Sequence, residues 1–193
     1  MEEKKTRRSR KKETTHRRIM HSAKLLFEKN GIGNVTIEDI AEGADVSRST
    51  FFTHFDSVED LLTQIADEEI NDILSVSYKD GKADVYALFR QLSIDTCPYP
   101  SLMSELVIRN ILSGKGEKIA DLFRLICEEI DSEGYDSRLS GFSSKDISSL
   151  VLGAYFGLVF QKLIDNEKFS GPDEIYGKIT GYIKYLKNQE EEK

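Results

Sequence analysis

The stretch Thr36-Ile37-Glu38-Asp39-Ile40-Ala41-Glu42-Gly43-Ala44-Asp45-Val46-Ser47-Arg48-Ser49-Thr50-Phe51-Phe52-Thr53-His54-Phe55 decides how this chain folds. Thr36 and Ser47 are both cap-type residues, and each stands before a short run whose apolar residues recur at helical spacing. Two short helices therefore follow one another, with Ala44-Asp45-Val46 as the turn between them. Helices that cross steeply need a small residue where they touch, and Ala41 supplies it. Ile40, Val46, Phe51 and Phe55 can clamp both helices onto a third. The remainder, Ser47, Arg48, Ser49, Thr50 and Thr53, is a polar face at the start of the second helix, the place from which side chains reach base edges in a DNA major groove. The segment reads as a helix-turn-helix.

Upstream, Thr14 or Thr15 can cap a first helix carrying Ile19, Ala23, Leu26 and Phe27 on one face and ending at Asn30-Gly31. Residues 1–18 hold nine Lys or Arg against Glu2, Glu3 and Glu13, a local charge of +6 in a chain whose net charge is −7. An acidic body with a concentrated basic arm is polarised toward a polyanion; the alternative is a solvated tail. Residues 1–13 read as a disordered basic arm, and Arg17 and Arg18, just inside the first helix, are candidates to face DNA. Downstream, Asp56-Ser57 opens a long fourth helix to about Tyr78. Five more helices are expected near 82–96, 100–113, 116–131, 143–166 and 172–188, with no hairpin signature and an acidic tail over 189–193. The expected fold is all-α, with about nine helices: a helix-turn-helix domain over 14–56 and a larger helical domain over 57–188.

Several functions are excluded by what is missing. No uninterrupted apolar run approaches the roughly 20 residues of a membrane helix, and the charged N-terminus does not resemble a secretory signal. The expectation is a cytoplasmic protein with no membrane partner. Cys97 and Cys127 are isolated, without disulfide or metal spacing. Three histidines, His16, His21 and His54, with no cysteine or carboxylate cluster beside them, leave a metal site short of ligands. No metal or cofactor is expected. A Gly-rich phosphate loop, a nucleophile–base pair and paired carboxylates are absent in recognisable context, so the chain does not read as an enzyme.

The run Thr36, Ile40-Ala41, Ala44, Val46-Ser47, Thr50, His54-Phe55, Ser57 and Leu61-Leu62 closely resembles the tetracycline-repressor-like (TetR) regulators of transcription. The resemblance covers roughly residues 14–65; beyond them only helical layout and length agree. It implies that Thr36, His54 and, by apolar contact alone, Phe52 face DNA phosphates, while Ser47, Arg48, Ser49, Thr50 and Thr53 face the groove. Arg48 is then a candidate for a bidentate guanine contact, with a phosphate contact or a solvated position as alternatives. Asp45 and Ser49 stand where glycines are usual in such proteins, Phe52 where a phosphate-binding tyrosine is, and Val58 where a lysine is. Asp45 is expected at positive φ, which Asp tolerates better than most residues. Arg48 is the only Lys or Arg of residues 36–55, so the basic arm is expected to supply the missing electrostatic affinity.

The last two helices are apolar nearly all round. Gly153 and Gly157, and again Gly177 and Gly181, lie four apart and leave smooth stripes, with Tyr182 beside the second. The resemblance implies that these helices pair with their copies in a homodimer, which a helix-turn-helix needs to read two half-sites. It also implies a ligand cavity among the fourth to eighth helices. Candidate lining residues are Tyr86, Phe89, Cys97, Tyr99, Met103, Phe123, Cys127, Tyr155 and Phe156, a set suited to a small hydrophobic effector. The function so implied is a dimeric repressor of double-stranded operator DNA, released by that effector. A transcriptional activator with the same DNA domain, or a helical protein-binding adaptor, are the alternatives.

Overall fold

In the computed structural model, which describes residues 7–114, 116–133 and 141–187, helix α1 already begins at Arg7 and runs Arg7–Asn30. The disordered arm expected over 1–13 is thus helical from residue 7 on. Residues 1–6 and the tail at 189–193 lie outside the described residues. Thr14 and Thr15 do not cap the helix. Their hydroxyls donate to the carbonyls of Arg10 at 2.9 Å and Lys11 at 3.1 Å, one turn back, as helix-interior threonines do. Arg, Lys and Glu are good helix formers, and the Arg17–Glu13 pair at 3.0 Å spans one further turn.

A short 3-10 turn, Ile32–Asn34, leads to α2 (Ile37–Gly43), α3 (Arg48–Phe52) and α4 (Val58–Val76). Thr36 caps α2 through a capping box with Asp39, and Ser47 caps α3 by accepting the Thr50 amide. Ile19, Ala23, Phe27, Ile40, Phe51, Phe55, Leu61 and Ile65 are buried to completion or nearly so, whereas Val46 is only half-buried. The chain divides into two compact units, Met1–Ala66 and Asp67–Lys193. The boundary falls inside α4 and not at the expected Ser57, because Leu61, Leu62, Ile65 and Ala66 are buried on the N-terminal side of it.

The second unit opens with an unexpected hairpin, β1 (Tyr78–Lys79) and β2 (Lys82–Ala83), paired antiparallel. Asp80 at φ 52° and Gly81 at φ 75° make the tight left-handed turn that such a short connection requires. Then follow α5 (Val85–Thr96), α6 (Pro100–Leu112), α7 (Glu117–Glu133), α8 (Ser144–Ile164) and α9 (Pro172–Leu186), giving nine α-helices among the described residues. Helix α8 packs on α6, α7 and α9, and α5 packs on α9 and α7. Their shared core includes Leu88, Phe89, Leu125, Leu152, Tyr155, Val159 and Ile179.

A buried ion pair stands inside this unit. Glu129 of α7 is 3% exposed. Its carboxylate accepts the Val85 amide at the start of α5 and pairs with Lys187, just past the end of α9. The Lys187 ammonium also meets Glu133 at 2.7 Å and lies 5.3 Å over the Tyr86 ring.

Helices α8 and α9 bury one side each. Ile147, Val151, Leu152, Tyr155 and Val159 of α8 face the core, as do Ile175, Ile179 and Ile183 of α9. The other side keeps Leu150, Phe160, Ile164 (77% exposed), Tyr182 and Tyr185 (70% exposed) in solvent. Helix α8 is also long and apolar enough to cross a membrane, as the core helix of a soluble protein can be. Ser148-Ser149 on one side and Gln161-Lys162 on the other bound its continuous apolar stretch, Leu150 to Phe160, which is why the sequence shows no run of that length.

Candidate nucleic-acid interface

The turn of the helix-turn-helix is built from backbone and from α1. Asp45 adopts φ 50°, the positive value expected of it. The Asp45 amide donates to Glu42 O and the Val46 amide to Ala41 O, both at 2.9 Å. Arg18 of α1 closes the turn from outside, donating to Ala44 O at 2.6 Å and to the Asp45 carboxylate at 3.1 Å. Arg18, a candidate to face DNA, is exposed and has its guanidinium on this turn. Arg17 is exposed and pairs with Glu13. Gly43 lets α2 approach α1 closely, since a Cβ there would stand 2.4 Å from Ser22 Oγ, which itself donates to Ile40 O.

Helix α3 rests on the buried Phe51 and turns Arg48, Ser49, Phe52 and Thr53 to solvent, with Thr50 half-buried. Ser47 Oγ accepts the Thr50 amide at 3.1 Å and lies 2.8 Å from both Ser49 Oγ and Thr50 Oγ1, so the hydroxyls form one cluster around the cap. Thr53 Oγ1 donates back to Ser49 O at 3.0 Å. The Arg48 guanidinium pairs with Glu38 of α2 and lies 5.4 Å over the Phe52 ring. Arg48 is therefore paired with α2 at the surface, with further guanidinium N–H groups exposed. Glu38 escaped the sequence reading because nothing local links residues ten apart across a turn; only the crossing of α2 and α3 does.

Thr36 is exposed at the start of α2, its hydroxyl donating to Asp39 Oδ2 at 2.6 Å while accepting the Asp39 amide. These bonds hold the Asp39 carboxyl below the usual carboxylate range. His54 follows α3. Its Nδ1 is buried without a hydrogen-bond partner. The His16 ring of α1 lies 5.7 Å from it and stacks on Phe55 at 4.6 Å. Burial first, then the neighbouring His16 and Lys12, push the His54 pKa below its ordinary 6.5.

One capped, hydroxyl-rich helix is thus presented by two others through a three-residue turn. Residues 19–65 match the family model of bacterial regulatory proteins of the tetR family. The chain carries a tetR-family domain. EthR of Mycobacterium tuberculosis, a helix-turn-helix transcriptional regulator, is 34% identical over 53 residues, 28% of this chain and 24% of EthR. TtgR of Pseudomonas putida, likewise such a regulator, is 28% identical over 120 residues, 61% of this chain and 52% of TtgR. The chain thus spans about a quarter to a half of the curated relatives it matches. A transcriptional regulator of the TerR/AcrR family from Aquifex aeolicus shares the fold at TM-score 0.65 and 21% identity, over 89% of this chain and 99% of that one. The all-α fold with an N-terminal helix-turn-helix is therefore one that this chain shares with that solved structure.

Outside the tetR-family domain, five of the expected effector residues, Tyr86, Phe89, Phe123, Tyr155 and Phe156, belong to or pack against one core. Phe89 and Tyr155 are core residues 5.6 Å apart, with Phe156 5.5 Å from Tyr155. Buried Tyr155 donates its hydroxyl to Leu92 O at 2.9 Å, and burial drives its pKa up. Phe123 packs against the same core, and Met103 is buried on α6. Tyr99 precedes α6, and Cys97 and Cys127 are half-buried free thiols. Burial and Glu174 push the Cys97 thiol up, away from the reactive thiolate. Tyr86 packs against the core but also borders a polar open cleft of about 380 Å³ with Lys79, Lys82, Asp84, Glu129 and Glu133. At Gly153, Gly157, Gly177 and Gly181 an added Cβ would meet no atom within 4 Å. The chain's own packing does not require these glycines.

Proposed function

We propose that this protein is a cytoplasmic transcriptional regulator that binds double-stranded operator DNA as a homodimer through residues 36–55. The observation that carries the reading is the face of α3: Arg48, Ser49 and Thr53 exposed on a helix capped by Ser47 and backed by buried Phe51, inside a segment matching the tetR family. Such a face suits base edges and phosphates in the major groove. Dimerisation is supported by the apolar, glycine-lined side of α8 and α9 left uncovered within one chain, since a helix apolar all round calls for cover on both sides. The mode is repression, with residues 14–56 serving DNA and residues 57–188 serving the dimer and a small hydrophobic effector whose binding releases the DNA. Differential affinity of the effector for the two states, typically about 1–3 kcal/mol of coupling, is what such release requires.

The test is recovery of bound fragments from genomic DNA, followed by binding of the purified chain to the recovered site. Arg48→Ala with Ser49→Ala is expected to abolish preference for that site while leaving the helical circular-dichroism signal unchanged. Equal affinity of this variant for site and random duplex alike, with the unaltered chain showing no preference either, would overturn the reading. The position of the site relative to the promoter tells repression from activation.

A further inference from the structure

The first two turns of α1 carry Arg7, Arg8, Arg10, Lys11 and Lys12, all exposed, and no acidic residue in the first turn. This arrangement runs against what a helix N-terminus favours. The macrodipole there prefers acidic side chains, and Arg7/Lys11 and Arg8/Lys12 are like-charge pairs one turn apart, which weaken a helix. A segment that breaks the local rule twice points to a requirement outside the helix itself.

Its place in the fold says what that requirement is. The same helix is anchored to the helix-turn-helix by buried Ile19, Ala23 and Phe27 and by the stack of His16 on Phe55. Lys12, one turn before His16, acts electrostatically on His54 immediately after α3. The cations therefore start beside the C-terminal end of α3. At about 1.5 Å per residue, Arg7 lies about 14 Å further along the rod than His16. No aromatic residue occurs in residues 7–15 to stack on a base.

We infer that the N-terminal turns of α1 are a second, sequence-independent DNA site, a basic rod that lies on duplex phosphates beside the site α3 reads. This rests on the proposed function and extends it: α3 supplies discrimination, and Arg7, Arg8, Arg10, Lys11 and Lys12 supply affinity by counterion release. Each phosphate neutralised contributes about −0.9 to the slope of log affinity against log salt. Five contacts per chain would contribute a slope of about −4.5.

The experiment uses the full chain and the variant Arg7→Gln/Arg8→Gln/Arg10→Gln/Lys11→Gln/Lys12→Gln, whose glutamines keep helix propensity. Fluorescence anisotropy with a random-sequence 40-base-pair duplex, and with the recovered operator, is measured from about 50 to about 300 mM salt, the range over which counterion release is large. The variant is expected to lose at least two to four units of slope per bound chain on both DNAs, with the operator-to-random ratio held within about threefold. The Arg48→Ala/Ser49→Ala chain is expected to do the reverse: the ratio collapses and the slope moves by about one at most. An unchanged slope and affinity in the glutamine variant would overturn the inference while leaving operator recognition by α3 standing. Slope retained on DNA but binding lost to phosphatidylserine vesicles would also overturn it, assigning the rod to a membrane surface. Failure of the unaltered chain to bind any duplex would overturn both this site and the proposed function.

Discussion

Replacing Lys187 by Met should destabilise the C-terminal unit far more than an ordinary surface change. Both side chains of the Glu129–Lys187 pair are nearly sealed, at 4% and 5% exposure. Removing the ammonium strands a buried carboxylate that keeps one protein donor, the Val85 amide, from the contacts described above. Breaking a buried pair from one side costs about 3–5 kcal/mol. For a chain of this size each kcal/mol moves the midpoint by about 2–4 °C, so the expected drop is on the order of 6–20 °C. Glu129→Gln should cost less, about 1–3 kcal/mol, because its amide oxygen can still accept from Val85 and Lys187 retains Glu133. The double variant Glu129→Gln/Lys187→Met should recover part of the loss, with a coupling of at least about 1 kcal/mol, as partners in one network show. Urea unfolding followed by circular dichroism at fixed protein concentration reads all four corners of the cycle. A Lys187→Met loss below about 1 kcal/mol, together with simple additivity, would refute the reasoning and reduce the pair to a surface contact.

Gly157→Leu should leave the single chain folded, because an added Cβ meets nothing within 4 Å, yet sedimentation should find a monomer where the proposed dimer is expected of the unaltered chain; a persisting dimer would clear α8 of that role. Glu38→Gln should free Arg48 and remove a negative charge from the DNA face, raising DNA affinity by up to about fivefold per chain, the measure of an exposed ion pair. A fall in affinity would show that Glu38 positions Arg48 rather than restrains it. Asp45→Gly should be nearly neutral in thermal unfolding, since relief of the left-handed backbone at φ 50° is offset by glycine's greater unfolded-state freedom. Asp45→Ala should cost about 1 kcal/mol, and an unaffected midpoint would contradict the strain. With the His54 pKa below 6.5 in the folded chain, the unfolded chain takes up its proton first, so stability should fall as pH drops below 6.5. His54→Gln should flatten that slope; an identical pH profile in the variant would place the titration elsewhere.

How far the sequence reaches is visible in the helix-turn-helix itself. Its two caps, its turn and its apolar clamp are encoded within about a turn of chain each, by side chains that bond their own backbone or recur at helical spacing. The positive φ of Asp45 was legible for the same reason. Helix existence was legible throughout, with ends displaced by a few residues. The hairpin was not, because strands of two residues are too short to alternate, and only Asp80-Gly81 marked the turn. The arm was misjudged at residues 7–13, where charge density suggested disorder while the same residues are good helix formers.

What the sequence by itself determined, then, is the class of fold, the helix-turn-helix segment and the excess of charge at one end. The tertiary structure alone decided that Arg48 answers to Glu38, that Arg18 closes the turn at Ala44, that His16 crowds His54, and that Glu129 is sealed against Lys187, 58 residues away. The physical reason is range. Capping and periodicity are settled by neighbours along the chain, whereas these partners meet only once helices have crossed at angles set by the packing of all their side chains together.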